Sequence, residues 1–163
     1  MRVDPSQVDL SFLKGCCLQV TKLSKTELGC LYFYTTPFHE TIQDFSRKKL
    51  RGKLANELYH PGDAWLAGAA DLRLYGVFSK LPELPRSLRL YRGVSRPPST
   101  GNEAAFVSTS LEKRVARRFT SHKTRCCLLI VNVPEGSPVL PLFMLSRYSE
   151  LEFLLRSKDA HFV

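Results

Sequence analysis

The spacing of apolar residues changes near Pro85. Before that point they recur at roughly helical intervals. Ile42, Phe45, Leu50, Leu54 and Leu58 form one stripe, and Arg47, Lys48, Lys49, Arg51 and Lys53 fill the other side. That is an amphipathic helix over Glu40–Tyr59, closed by His60-Pro61-Gly62. A second helix, rich in Ala and Leu, is expected over Ala64–Phe78. Lys80-Leu81-Pro82-Glu83-Leu84-Pro85 then reads as a stiff connector. Earlier, Cys16–Val20 and Leu31–Tyr34 are short apolar runs. Their period fits a strand and a buried helical turn equally well.

After Pro85 the texture is that of strands. Leu88–Val94 and Ala104–Ser108 read as two of them, separated by a Pro- and Gly-containing loop at Ser95–Asn102. Leu111–Phe119 reads as a helix, with Ser110 placed to cap it and Glu112 in its first turn. Cys126–Val133 is a nearly continuous apolar strand, followed by a turn at Pro134-Glu135-Gly136-Ser137-Pro138. Val139–Leu145 is extended but broken by Pro141, and Glu150–Leu155 and His161–Val163 are the last strands expected. Helices first and strands afterwards give an α+β fold. No internal repeat or low-complexity segment interrupts it.

The length, 163 residues, suits one domain with a real core. It is read as a single unit, residues 1–163, with a helical part over about 1–84 and a β core over about 85–163. No apolar run reaches the roughly 18 residues of a membrane span, and the first residues lack the order of a signal peptide. Five cysteines (Cys16, Cys17, Cys30, Cys126 and Cys127) include two adjacent pairs and no C-x-x-C spacing. They do not group with His39, His60, His122 or His161, so no metal site is expected. Free cysteines within apolar runs fit a reducing compartment. The net charge of +9 points to an anionic ligand or an acidic partner. Nucleic acid is not expected as that partner, because no finger, recognition helix or aromatic–basic sheet pattern is present.

Three short stretches carry candidate chemistry. In Leu90-Tyr91-Arg92-Gly93-Val94 an arginine interrupts an apolar strand. Its burial is costly unless it is paired, and its planar donors suit a phosphate or a carboxylate. Gly93 leaves room for a flat ligand to approach the main chain. Phe106-Val107-Ser108-Thr109-Ser110 ends a strand in three hydroxyls, with Ser108 expected to face the same cleft as Arg92. Glu150-Leu151-Glu152 places two carboxylates two residues apart, on one face of a strand. Taken alone, that pair is a solvated acidic face. In a cleft, the same pair takes on two different jobs.

In this order and spacing, Arg92, Ser108-Thr109-Ser110 and Glu150-x-Glu152 resemble the R-S-E class of mono-ADP-ribosyltransferases, the toxin and effector group. The likeness covers about residues 85–163. It includes the helix after Ser-Thr-Ser, the Val-Pro-Glu-Gly turn and the Phe153-Leu154-Leu155 continuation. It implies helices packed on a mixed two-sheet β core, with NAD as co-substrate and no metal. The implied reaction transfers ADP-ribose from NAD to a side chain of a host protein, arginine favoured, and releases nicotinamide. The bond broken joins ribose to nicotinamide through a cationic state that needs a fixed carboxylate.

By the same resemblance Glu152 stabilises that state and holds the ribose. Glu150 polarises the acceptor, as in arginine-modifying members. Arg92 grips phosphate and ribose, and Ser108 orients Glu152. Gly93, Thr109, Ser110 and Phe119 line the NAD site, although the spacing of Phe119 from Val115 also suits a core position. Tyr148 and Ser149 stand where the acceptor is presented. The resemblance departs from the family after Ser110, where a loop is usual and a basic helix with Lys113, Arg114, Arg117 and Arg118 is expected here. The implied setting is a monomeric effector acting in a host cytosol. An NAD glycohydrolase and an inactive interaction module share the same frame.

Overall fold

The computed structural model describes residues 8–35, 42, 61–94, 106–120, 127–145 and 152–162. Among the described residues, the helices that precede the sheet include α1 (Leu10–Thr21), α2 (Lys25–Tyr34) and α3 (Pro61–Phe78). The strands are β1 (Leu88–Val94), β2 (Phe106–Ser110), β3 (Cys127–Val133), β4 (Leu140–Pro141), β5 (Glu152–Arg156) and β6 (His161–Phe162). A fourth, six-residue helix α4 (Lys113–Arg118) lies between β2 and β3.

Local chemistry sets the helix starts. Asp9 caps α1, its carboxylate accepting from the Ser11 amide at 2.7 Å. Ser24 and Glu27 form a reciprocal capping box on α2, each side chain accepting from the other's main-chain N–H. The two ambiguous apolar runs at Cys16–Val20 and Leu31–Tyr34 are therefore helical turns. The second predicted helix starts at Pro61 rather than Ala64, since proline suits a first helical turn. The helix expected over 40–59 lies outside the described residues except for Ile42, which is helical and buried.

The strand boundaries move in one consistent way. Strand β2 runs through Ser108-Thr109-Ser110 instead of stopping at Ser108, because all five of its residues pair with β5. The helix after it is correspondingly shorter than Leu111–Phe119 and begins at Lys113. The extended run at Val139–Leu145 pairs only at Leu140–Pro141, then tightens into a 3-10 turn at Leu142–Met144. Gly136, at φ 81°, supplies the turn before it. That turn is tied to the connector by Leu84 donating to Ser137 and Gly136 donating to Leu84.

The expected mixed two-sheet core is corrected. All described pairings are antiparallel, in one six-stranded sheet ordered β4-β5-β2-β1-β3-β6. The pairings are unequal, however. Strand β1 meets β3 along seven residue pairs and β2 meets β5 along five. Between β1 and β2 the described register is Tyr91↔Ser110 alone. Two three-stranded halves thus share one joint.

Two apolar cores lie on opposite faces. Phe106, Leu140 and Leu154 point to one, where they meet α2 and α3 through Leu31, Tyr34, Ala70, Leu74 and Phe78. Val107, Phe153 and Leu155 point to the other, with Leu88, Leu90, Val131 and Val133 of the second half and Phe12 and Cys16 of α1. Phe106 anchors the first core, stacked 5.6 Å from Phe78 with Tyr75 and Tyr34 around it. Strand β2 is therefore fixed from both sides.

Glu27 also ties the helices together. Its buried carboxylate accepts from the Lys80 ammonium at 2.5 Å, linking the start of α2 to the residues just beyond α3. The Lys80 hydrogen bond, then that from the Ser24 amide, lower its pKa to about 2. The folded value lies below the unfolded one. Its contribution is therefore complete above pH 4.5 and is lost as the pH falls toward 2. Lys80 is half exposed, so solvent screening holds the contribution to about 0.5–1 kcal/mol. Urea unfolding of Glu27→Gln should show that deficit at pH 7, narrowing steadily below pH 4.5. A deficit independent of pH would mean that the ion pair adds nothing.

Candidate active site

The register places the chemistry at the joint. Ser110 pairs with Tyr91 on one side and with Glu152 on the other. Directly paired residues point to the same face, so Tyr91, Ser110 and Glu152 form one cross-strand row. Ser108 pairs with Leu154, two residues from Glu152, and shares its face as a diagonal neighbour. Glu152 and Ser108 are both half-buried.

Arg92 alternates with Tyr91 and takes the same face of β1 as buried Leu88 and Leu90, so, contrary to expectation, its position on the strand is on the face opposite Ser108 and Glu152. Its guanidinium turns toward the neighbouring strand, where Nη1 donates to the Ser108 carbonyl at 2.9 Å. Arg92 is thus coupled to Ser108 through the main chain and reinforces the joint just beyond the Tyr91↔Ser110 pair. A charge-assisted bond of this kind contributes about 1.5–3 kcal/mol.

The three hydroxyls of β2 separate by position. Thr109 is buried on the opposite face, and its Oγ1 donates to the Phe153 carbonyl at 2.9 Å. That commitment ties β2 to β5 and gives Thr109 a structural place rather than a ligand-facing one. Ser110 is also buried, and its Oγ accepts from the Glu112 amide at 3.0 Å. The expected capping of the helix by Ser110 is not met: this bond closes the turn before α4, whose N-cap is Glu112. Ser108 is the member left half-buried on the face of Glu152.

Gly93 has a reason that was not expected. A Cβ at this position would lie 1.9 Å from the Ala116 carbonyl oxygen and 3.0 Å from Thr120 Cγ2. The glycine lets the main chain of α4 cross β1 in contact with it. Phe119, whose spacing suggested the core, is 63% exposed at the end of α4. Glu150, Tyr148 and Ser149 lie outside the described residues.

Tyr91 is the residue that sequence reasoning passed over. It sits beside Arg92 as an ordinary strand aromatic, and only the register shows that it completes the row with Ser110 and Glu152. Among the described residues, no group of three His, Cys, Asp or Glu is placed to hold a metal ion. No described helix is long and apolar enough to cross a membrane.

The fold, an antiparallel sheet with helices packed on it, is similar to that of bacterial ADP-ribosyltransferase toxins. The chain superposes on the C3 exoenzyme of Clostridium limosum with a TM-score of 0.58 at 19% identity, covering 96% of this chain and 82% of that one. The enzymatic component C2-I of the Clostridium botulinum C2 toxin gives 0.62 at 19% identity, over 90% of this chain and 39% of that one. Exoenzyme S of Pseudomonas aeruginosa, solved with human 14-3-3 protein beta and carba-NAD, gives 0.57 at 19% identity, over 82% of this chain. The chain spans 62% of exoenzyme S and well under half of C2-I. No family model and no curated protein sequence matches it.

Replacing Gly93 by alanine forces the α4 backbone away from β1, since the obstructing atom belongs to the main chain. The expected cost is about 2–4 kcal/mol, read as a lowered urea midpoint. A change below about 0.5 kcal/mol would show that α4 moves freely and that the close approach is not needed.

Proposed function

We propose that the chain is an NAD-dependent mono-ADP-ribosyltransferase that modifies a side chain of a host protein. The observation that carries this reading is the grouping of Glu152, Ser108 and Arg92 around the β1–β2 joint. The fold supports it, because the structures that share it include ADP-ribosylating toxins, one of them solved with an NAD analogue.

The donor set suits NAD. A guanidinium offers charged donors to a pyrophosphate, a half-buried serine hydroxyl suits a ribose, and a carboxylate suits a developing cation. NAD supplies an activated glycosidic bond whose cleavage releases nicotinamide and leaves positive charge on the ribose. Glu152 stabilises that charge and accepts a ribose hydroxyl. Ser108, diagonal to it across β2 and β5, holds the carboxylate and the sugar in register. Arg92 serves twice, as the tie to β2 and as the phosphate-facing donor.

Glu150 precedes Glu152 by two residues. In this reading it activates the incoming nucleophile, with arginine the favoured acceptor because arginine-modifying members of the class carry Glu there. Tyr148 and Ser149 present that acceptor. The implied setting is a secreted effector in a reducing host cytosol.

Two variants test the roles. Glu152→Ala should lower nicotinamide release by about 10²–10³-fold while the circular-dichroism spectrum and urea midpoint stay near wild type. Undiminished release would sink the assignment. Glu150→Ala should spare NAD hydrolysis and depress transfer of labelled ADP-ribose to lysate protein. Equal loss of both would remove Glu150 from the acceptor role. Label that never leaves the small-molecule fraction in wild type would instead identify a glycohydrolase.

A further inference from the structure

We propose that Tyr91 is a substrate-contacting residue of this site, and that its ring is the wall on which the nicotinamide of NAD stacks. This rests on the transferase reading above. Tyr91 and Glu152 flank Ser110 in one cross-strand row, Tyr91 paired with it across β1 and β2, and Glu152 across β2 and β5. All three side chains leave the sheet on one face. Tyr91 and Glu152 are half-buried, and Ser110 between them is buried.

Side-chain size gives the row its shape. A large side chain stands on each flank of a small one, which makes two walls and a low floor. The walls rise from positions two strand spacings apart, roughly 9–10 Å at the main chain. Two contact distances of about 3.5 Å fit within that span, enough for one planar ring. The floor is fixed, because the Ser110 hydroxyl accepts from the Glu112 amide at 3.0 Å. Helix α4 crosses β1 at Gly93, two residues from Tyr91 and on the same face, and bounds the row on that side.

The two walls differ in chemistry, and together they define the occupant. One is the face of an aromatic ring, which attracts a cation through its quadrupole. The other is a carboxylate. A flat cation is stabilised by both at once. NAD carries such a cation in the pyridinium ring of its nicotinamide, joined to the ribose that Glu152 serves. On cleavage the bonding electron pair passes to the ring nitrogen, nicotinamide leaves neutral, and the positive charge passes to the ribose. The attraction of Tyr91 for the ring is strongest before the bond breaks. Loss of Tyr91 therefore falls on KM rather than on kcat.

The whole chain is titrated calorimetrically with two probes: carba-NAD, whose bond to nicotinamide resists cleavage, and ADP-ribose, which lacks the nicotinamide. Tyr91→Phe keeps the ring and should bind both within about twofold of wild type. Tyr91→Leu should weaken carba-NAD about tenfold and hold ADP-ribose within about twofold. Tyr91→Thr, a second ringless residue suited to a strand, should do the same. In nicotinamide release from NAD, both ringless variants should raise KM about tenfold and keep kcat within about threefold. Equal losses for carba-NAD and ADP-ribose would reduce Tyr91 to packing and overturn the proposal. Unchanged affinity for carba-NAD in the ringless variants would overturn it too. A wild type that binds no carba-NAD would overturn it together with the transferase reading. Ring-dependent binding of carba-NAD, with no label from NAD ever reaching protein, would defeat the transferase reading alone and leave the nicotinamide wall in place.

Discussion

The structure depends on a narrow joint between two well-paired halves of one sheet. Tyr91↔Ser110 connects β1 to β2, whereas five and seven pairs hold the strands on either side. A single ladder position contributes little, on the order of 1 kcal/mol per net hydrogen bond. The Arg92–Ser108 bond and the seat of α4 on Gly93 therefore carry much of the connection. Because the joint is so short, polar groups from β1, β2 and β5 converge where a longer ladder would have buried them.

Rigidity at the joint comes from elsewhere. Strand β2 contributes Phe106 to one core and Val107 to the other. It cannot shift without disturbing both. The aromatic cluster around Phe106 binds it to α2 and α3, and Thr109 binds it to β5 through a buried hydrogen bond. The Glu27–Lys80 pair and its capping box fix α2 against the end of α3. The helical layer thus holds the strand that presents Ser108 and the register that presents Glu152. Chemistry at the joint draws on packing some distance from it.

Much of this was legible in the sequence. Strand β1 has its predicted bounds, Leu88–Val94, and its burial alternates over Leu88, Arg89 and Leu90. Residues with local causes, such as Gly136 in its turn, could also be read in place. Register could not be read. Alternation states that Ser108 and Ser110 share a face, but not which of them stands opposite Glu152. The residue found there is Ser110, with Ser108 on the diagonal. Gly93 was read as room for a ligand, and the structure fills that room with the carbonyl of Ala116. Phe119 shows the same limit, since a helix ending at Arg118 turns it outward and no periodicity reveals that.

The Ser-Thr-Ser triplet shows how one motif serves folding and chemistry together. Alternation sends its middle residue to one face and its outer residues to the other. A β-branched Thr109 suits the packed face, where it is buried and its hydroxyl donates to the Phe153 carbonyl. Ser110 stands at the strand end, where a short hydroxyl accepts the Glu112 amide and turns the chain into α4. Those two commitments fix the strand and its exit, and Ser108 is then the hydroxyl placed at the joint. The main-chain carbonyl of Ser108 is bonded to Arg92. The residue is held by its main chain, so its side chain can turn toward the face of Glu152 without loosening β2.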